Sequence, residues 1–470
     1  MAVLLLCDSS SAQRIEPNKV YATAWPTCDS GSAFDIKAAN QAASRQPSND
    51  EMLANVAATK EAVRAAKEKL QAALRDPVAA WAEHCAQYGP HMLQDTTRYM
   101  YFKANLALAA SRNAEAAKNN PDLKGQEDDL MAHGITQFSH LSQDEFDKSF
   151  LMSKEVTIPT TFKPTRRSRP LADAVEPAAA TPDEPQATAD TGAGRRLMQG
   201  SVPCRTNKAF PYGALGTPQS WDWRNAGVIT PVRNQLGAFP YGALGTPQSW
   251  DWRNAGVITP VRNQLGCGSC SAHASIGALE STFIRKWYDR GYRASNTDLS
   301  EDDFLECTAG NQCNGAWPDS VFDRYICNGA PFEASQPYNA NDGNNCRAIP
   351  RYITGATGFS YVPKDGASLA KSVFVNPTVI ALDASRWNTF AAGWVRNCGE
   401  SWSRLNHAVL VVGWVGGVPM SNGETWDFWY VKNSWGPTFN NAGYIWIRKD
   451  RCGGDGPFGM YKTNPWTPLM

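Results

Sequence analysis

The chemistry of this chain concentrates in Asn263-Gln264-Leu265-Gly266-Cys267-Gly268-Ser269-Cys270-Ser271-Ala272-His273-Ala274-Ser275. The stretch reads as a tight turn, with Gly266 and Gly268 supplying backbone freedom, that runs into a helix patterned by Ala272, Ala274, Ile276, Ala278 and Leu279. A cysteine at the mouth of a helix is favoured as the anion, so Cys270 is a candidate nucleophile. Gln264 can place an amide donor beside it, and that amide with the Cys270 N–H would suit an oxyanion on an attacked carbonyl. A thiolate also needs a base that later protonates the leaving amine. Past the middle of the chain two histidines are available. His273 lies one turn along the same helix, a spacing that points inward beside the thiol but rarely in line with it. His407 opens the apolar run Ala408–Trp414.

The stretch resembles the nucleophile segment of papain-like cysteine peptidases through Cys267-Gly268-Ser269-Cys270. It departs at Ser271, where the family has Trp or Tyr, and at His273, where Phe is usual. The segment around His407 is similar to the family's catalytic-histidine strand. Val431-Lys432-Asn433-Ser434-Trp435-Gly436 is similar to the segment carrying its orienting asparagine, here Asn433, with Trp435 covering the Asn–His hydrogen bond. The resemblance implies a cysteine endopeptidase that works through Cys270, His407 and Asn433 and an acyl-enzyme thioester, with Gln264 at the oxyanion. His273 then stands where the family buries an aromatic.

Cys313-Asn314-Gly315-Ala316-Trp317-Pro318 resembles the family's substrate strand, which implies backbone hydrogen bonds to peptide from Gly315 and Ala316. Trp317, Pro318, Ala384, Ala408 and Thr463 would line the second pocket, and Trp435 would border the binding surface. No acid falls there, so an apolar residue is expected before the one at the cut, with no gain from Arg. The family pattern implies disulfides Cys267–Cys313 and Cys307–Cys346. Phe458 occupies the usual partner position of Cys398, so Cys452 is the expected stand-in. Cys327 is left over, free or paired with Cys204. No cofactor and no metal is expected, since no paired C-x-x-C spacing appears beyond Cys267/Cys270.

The bulk composition narrows the partners. Lys+Arg and Asp+Glu each number 45 in 470 residues, so no net field attracts nucleic acid. No run approaches the roughly 18 apolar residues of a membrane span. The expected partners are peptide or protein substrates and the chain's own propeptide in cis, acting as a monomer. Eight of twelve cysteines lie between Cys267 and Cys452, which suits an oxidising compartment, a lysosome or vacuole or the exterior. Ala2–Cys7 is a poor secretory signal as written, so the true N-terminus is expected to be missing or misread.

Residues 1–48 are uninformative. Residues 49–76 read as one amphipathic helix capped at Ser48, carrying Leu53, Val56, Val63, Leu70 and Leu74, and stopping near Asp76-Pro77. Residues 77–155 resemble an inhibitory propeptide. A helical block from Val78 to Asn119 carries Gln94, Arg98, Phe102, Asn105, Ala109 and Asn113 on one side, with Trp81 and Tyr88 at aromatic positions. Gly134–Ser142 is similar to a second propeptide motif, with Thr136 for Asn and His140 for Asp. The family's pro-segment crosses the cleft in reverse and blocks it. Residues 156–208 form a Pro/Ala-rich linker in which Arg166-Arg167 and Arg195-Arg196 are candidate maturation cuts.

Residues 209–237 recur identically as 238–266. Both copies compete for one place in the fold. Substituting the first would close an extra loop of the length of the repeat, at roughly 3 kcal/mol. Gln264 is therefore chosen over Gln235, and residues 209–245 are expected to be extruded or removed. The peptidase domain is 246–470, with strands expected at Phe374–Val375, Thr378–Leu382, Ala408–Trp414, Trp426–Val431 and Tyr444–Ile447. Gly416 to Thr425 reads as a long hairpin loop. The expected class is α+β, a two-lobed papain-like fold with a helical lobe and a β-barrel-like lobe, preceded by the helical propeptide. Ser271 for a large aromatic would cost about 3–5 kcal/mol if the gap stayed empty. The alternative function is thus a catalytically weak homologue acting as a peptide binder or decoy.

Overall fold

The computed structural model describes residues 34–119, 131–152, 247–308, 312–343, 345–395, 404–420, 423–449 and 454–470. The linker, its two arginine pairs, the first copy of the repeat, Cys204, Cys398 and Cys452 lie outside those residues.

The N-terminal part comprises α1 (Ile36–Ala43), α2 (Asn49–Arg75), α3 (Pro77–Tyr88), α4 (Thr96–Asn119), β1 (Met131–His133) and α5 (Gln143–Phe150). A reciprocal capping box starts α2, the Ser48 hydroxyl taking the Glu51 N–H while the Glu51 carboxylate takes that of Ser48. Asp76 ends α2 and caps α3, whose first residue is Pro77. The buried stripe of α2 is Met52, Val56, Val63, Leu70 and Ala73, whereas Leu53 and Leu74 face solvent. One helix therefore serves three apolar clusters. Met52 and Val56 join the main core, Val63 meets Ala132 and Ala392, and Leu70 and Ala73 meet Trp81 and Phe102.

The expected single helix from Val78 to Asn119 is broken at Gly89-Pro90, because proline cannot continue the ladder. Gln94 consequently lies outside α4 and is exposed. Three other members of its row, Arg98, Asn105 and Asn113, tie α4 to the second motif and its flanks. Arg98 pairs with Glu145 at 2.7 Å, and Asn105 donates to the carbonyls of Ser139 and Leu141 at 3.0 and 2.7 Å. Asn113 exchanges two 2.8 Å bonds with His133.

The second part runs β2 (Trp250–Asp251), α6 (Cys270–Lys286), α7 (Asp302–Cys307), α8 (Pro318–Asn328), β3 (Gly358–Tyr361), α9 (Gly366–Val375), β4 (Thr378–Leu382), β5 (Phe390–Val395), β6 (His407–Pro419), β7 (Thr425–Lys432), β8 (Tyr444–Arg448) and β9 (Trp466–Leu469). Helices precede a sheet of order β1-β5-β8-β7-β6-β4-β9-β3, with β2 added to β6. It is an open mixed sheet, β5 and β8 being parallel, and not a closed barrel. Phe374 and Val375 end α9 and form no strand. Strand β6 continues to Pro419 and pairs with β7 as far as Pro419↔Thr425, so Gly416 to Pro419 of the expected hairpin loop are strand.

Strand β6 is buried on both faces, which explains its unbroken apolar run. Ala408, Leu410 and Val412 face one cluster while Val409 and Val411 face the other. A bulge between Val411 and Gly413 resets that alternation, sending Trp414 to the second cluster and Val415 to the first. Gly413 makes room for β2, since an added Cβ would lie 2.1 Å from the Trp250 carbonyl oxygen. Gly413→Ala should therefore cost about 1–3 kcal/mol or more by denaturant titration. Gly266→Ala, where a Cβ meets nothing within 4 Å, should be near neutral.

Candidate active site

Cys270 is the first residue of α6, and Ser269 precedes it without a side-chain cap. The turn before it is tied by the Cys267–Cys313 disulfide and by a 2.8 Å bond from the Gly268 N–H to the Cys313 carbonyl. A Cβ on Gly268 would sit 2.4 Å from that carbonyl oxygen, so close approach requires glycine there. The left-handed residue of the turn is Leu265, not Gly266. Cys307–Cys346 also forms, and Cys327 is disulfide-bonded, so it is not free.

Strands β6 and β7 bring the other groups. His407 Nε2 lies 2.7 Å from Asn433 Oδ1. An amide oxygen only accepts, so Nε2 carries the proton and Nδ1 keeps its lone pair. Nδ1 is buried without a hydrogen-bond partner. The N–H of Ala408, the next residue, points to Cys270 Sγ at 3.3 Å. Trp435 covers the pair, its ring 4.7 Å from the imidazole, and Trp387 stands edge-on beyond it. Gln264 lies behind the thiol turn. Its amide donates to the Cys267 carbonyl at 2.8 Å and to that of Phe150 at 3.1 Å, and its oxygen accepts from Ser434 at 2.6 Å.

The Phe150 carbonyl belongs to a strip of the N-terminal part lying in the cleft. Met152 donates its N–H to the Asn406 carbonyl at 2.7 Å. Phe138, Phe146 and Phe150 pack around Trp435, and Gln137 donates to its carbonyl at 2.9 Å. This cover buries Cys270 and His407 completely. A helix mouth alone would lower the thiol's pKa. Here burial outweighs the hydrogen bonds to the sulfur and pushes Cys270 up to about 11. Burial likewise presses His407 down to about 4 despite its hydrogen bond to Asn433. Both groups are neutral at pH 7 while the strip is in place.

His273 does not meet the thiol. Its Nδ1 lies 3.1 Å from the Ser269 carbonyl and its ring packs edge-on against Tyr338, so it fills the aromatic position. Ser271 donates to the Ala316 carbonyl, which occupies a group expected to face peptide. Trp317, its ring tilted against that of Trp466, and Ala408 belong to one apolar layer, whereas Ala384 packs in the other with Leu382 and Trp387. The alanine opposite Ala408 is its cross-strand partner Ala381, which alternation along β4 could have revealed. Pro318 starts α8, and Thr463 is buried. Sequence reasoning assigned no role to Ser434, although it sits in the Asn433 segment, and missed Tyr338, whose hydroxyl donates to the Gln264 carbonyl at 2.6 Å and which has no local signature.

The fold and these groups define a class. A model described as papain family cysteine protease matches residues 246–457, and the chain belongs to that family. It is a cysteine-type endopeptidase, cathepsin L-like and built as a zymogen with its propeptide in cis. Cysteine proteinase 2 of Entamoeba histolytica is 32% identical over 269 residues, 55% of this chain and 73% of that protein. Human cathepsin L2 is 38% identical over 277 residues, covering 55% and 71%. The fold is shared with a recombinant stem bromelain precursor, at TM-score 0.54 and 24% identity over 84% of this chain and 99% of that one. Digestive procathepsin L 3 of Tenebrio molitor aligns at TM-score 0.52 and 22% identity, over 84% and 99%. No helix among the described residues is long and apolar enough to cross a membrane.

The N-terminal part packs two buried histidine rings against each other. His84 Nε2 lies 3.1 Å from His140 Nδ1, with Lys69 near the first ring and Arg98, Glu145 and His91 near the second. Burial holds His84 down to about 3 and His140 to about 4, against an ordinary 6.5. Between these values the unfolded segment binds more protons. The stability they contribute is thus full above pH 6.5 and is lost as pH falls through the folded values. Exposure of Cys270 to a thiol reagent should accelerate from pH 7 to 4, and His84→Phe should flatten that rise. An identical pH profile in the variant would refute the role of the pair.

Proposed function

We propose that Cys270, His407, Asn433 and Gln264 carry out peptide-bond hydrolysis once the strip 150–152 leaves the cleft. The observation that carries this reading is the 2.7 Å bond from His407 to Asn433, which leaves Nδ1 as the basic nitrogen beside the residue that touches the sulfur. Nδ1 takes the thiol proton as Sγ attacks the carbonyl carbon, and the oxyanion collects the Gln264 amide and the Cys270 N–H. The C–N bond then breaks, the amine leaves with the proton from Nδ1, and a thioester remains. Water gives a proton to Nδ1 and adds to the thioester. The C–S bond breaks, the thiol is restored and the acid departs.

The same geometry supports a self-blocked precursor. Phe150 stands beside Trp435 and Met152 against Gly315. A substrate lying on Gly315 with its leaving amine toward Trp435 would run the opposite way, so the strip fills the cleft in reverse and escapes cutting. Residues 77–155 act as the inhibitory part, 246–470 as the mature peptidase, and the linker with the first repeat is removed between them. The mature enzyme acts as a monomer. The disulfides suit a lysosome, a vacuole or the exterior. A decoy is not favoured, because the His–Asn pair is assembled beside the residue that touches the sulfur.

A thiol-directed peptide epoxide should label Cys270 once per molecule after the propeptide is removed and scarcely before; no labelling of the processed chain would sink the reading. His407→Ala should then lower turnover by about 10²–10⁴-fold. Among peptides differing in the residue before the one at the cut, Leu should be cleaved faster than Arg. Faster cleavage of Arg would overturn the apolar pocket.

A further inference from the structure

Ser271 follows Cys270 on its helix and stands where papain-like peptidases keep a Trp or Tyr. The space so released is occupied. Met152 is fully buried in the same cluster as Cys267, Cys270 and Ala272, with its sulfur 3.5 Å from the Ser271 hydroxyl. Its Cβ and Cγ press on Gly315, where an added Cβ would meet them at 2.8 Å or less. Its backbone is held on the other side by the Asn406 carbonyl. The side chain of Met152 thus runs past the Cβ-free face of Gly315 and ends at Ser271.

We infer that departure of Met152 leaves a pocket under Gly315 that selects a long, unbranched apolar side chain, methionine or norleucine, on the acyl side of the cut. The inference rests on the hydrolytic reading above. A branch at Cβ or Cγ turned toward Gly315 would crowd its Cβ-free face, whereas a straight chain passes as Met152 does. Ser271 spends its hydroxyl proton on the Ala316 carbonyl, so the floor demands no polar ligand. A polarisable thioether adapts well to such an irregular space. A Trp at 271 would fill it, which makes Ser271 the residue that sets the preference.

The test uses processed enzyme counted by epoxide titration and peptides varied at the two positions before the cut. At one of them Met and norleucine should exceed Ala and Val in kcat/KM by about tenfold or more. Ser271→Trp, or the smaller Ser271→Leu if the first does not fold, should reduce that advantage to about twofold or less. Val equalling Met, or a Met/Ala ratio untouched by both substitutions, would overturn the pocket. A second measurement needs no activity. In the full chain Met152→Ala and Ser271→Trp should each lower the melting temperature, and the double variant should recover much of the loss. Strictly additive losses would refute the pocket whether or not the enzyme turns over, while an unlabelled but non-additive pair would count against hydrolysis alone.

Discussion

The site depends on one long-range contact, the seating of the first turn of α6 against the first residues of β6. These segments are separated by 138 positions, yet the Ala408 N–H reaches Cys270 Sγ at 3.3 Å. Burial of the helix drives the approach, and Gly277 permits it, since a Cβ there would lie 3.1 Å from the Leu410 side chain. Polar bonds then fix the angle. Lys432, the neighbour of Asn433, donates to Thr259 at 3.0 Å, and Thr259 in turn donates to Glu280 on the helix. Glu280 also accepts the Leu299 N–H at 3.0 Å. Removing one member would strand buried partners, so the network holds strand and helix in a single arrangement.

Burial has a second consequence in the closed molecule. The layer that excludes water around Cys270 and His407 raises the thiol and lowers the imidazole, because neither charge is tolerated in a dry cleft. In the proposed reading the cover therefore opposes the chemistry electrostatically as well as sterically. The N-terminal part holds its place by adding β1 to the β5 edge and by Arg112, which reaches the side chains of Asn388 and Thr389 at 2.6 and 2.7 Å. Strand addition and buried polar bonds are directional, so the strip that follows arrives in one register.

Much of this was legible. Cys267–Cys270, the strand after His407 and the Asn433–Trp435 segment each have local signatures, and Ser48 ahead of Asn49-Asp50 is a readable helix cap. Other features were not. Phe374-Val375 looked like strand because two β-formers closed an apolar run, yet the Asp365 cap made the run a helix, its carboxylate taking the Ser368 N–H at 2.7 Å. Leu53 and Leu74 seemed to belong to the buried stripe because a straight periodicity ignores that three separate clusters receive it. The resemblance places Ala384 in the pocket, yet it lies past the end of β4, in the opposite layer. Strand β1 spans Met131–His133 only and exists because β5 has an edge to offer.

By itself the sequence determined the kinds of groups present, their order, and the turn that puts a cysteine at a helix mouth, since these depend on residues a few positions apart. Only the tertiary structure decided which histidine ring meets Asn433, that both reactive groups are neutral in the closed form, and that Met152 occupies the space beside Ser271. Those outcomes are sums over contacts between distant segments. Desolvation, register and filled volume have no value until the layers have closed.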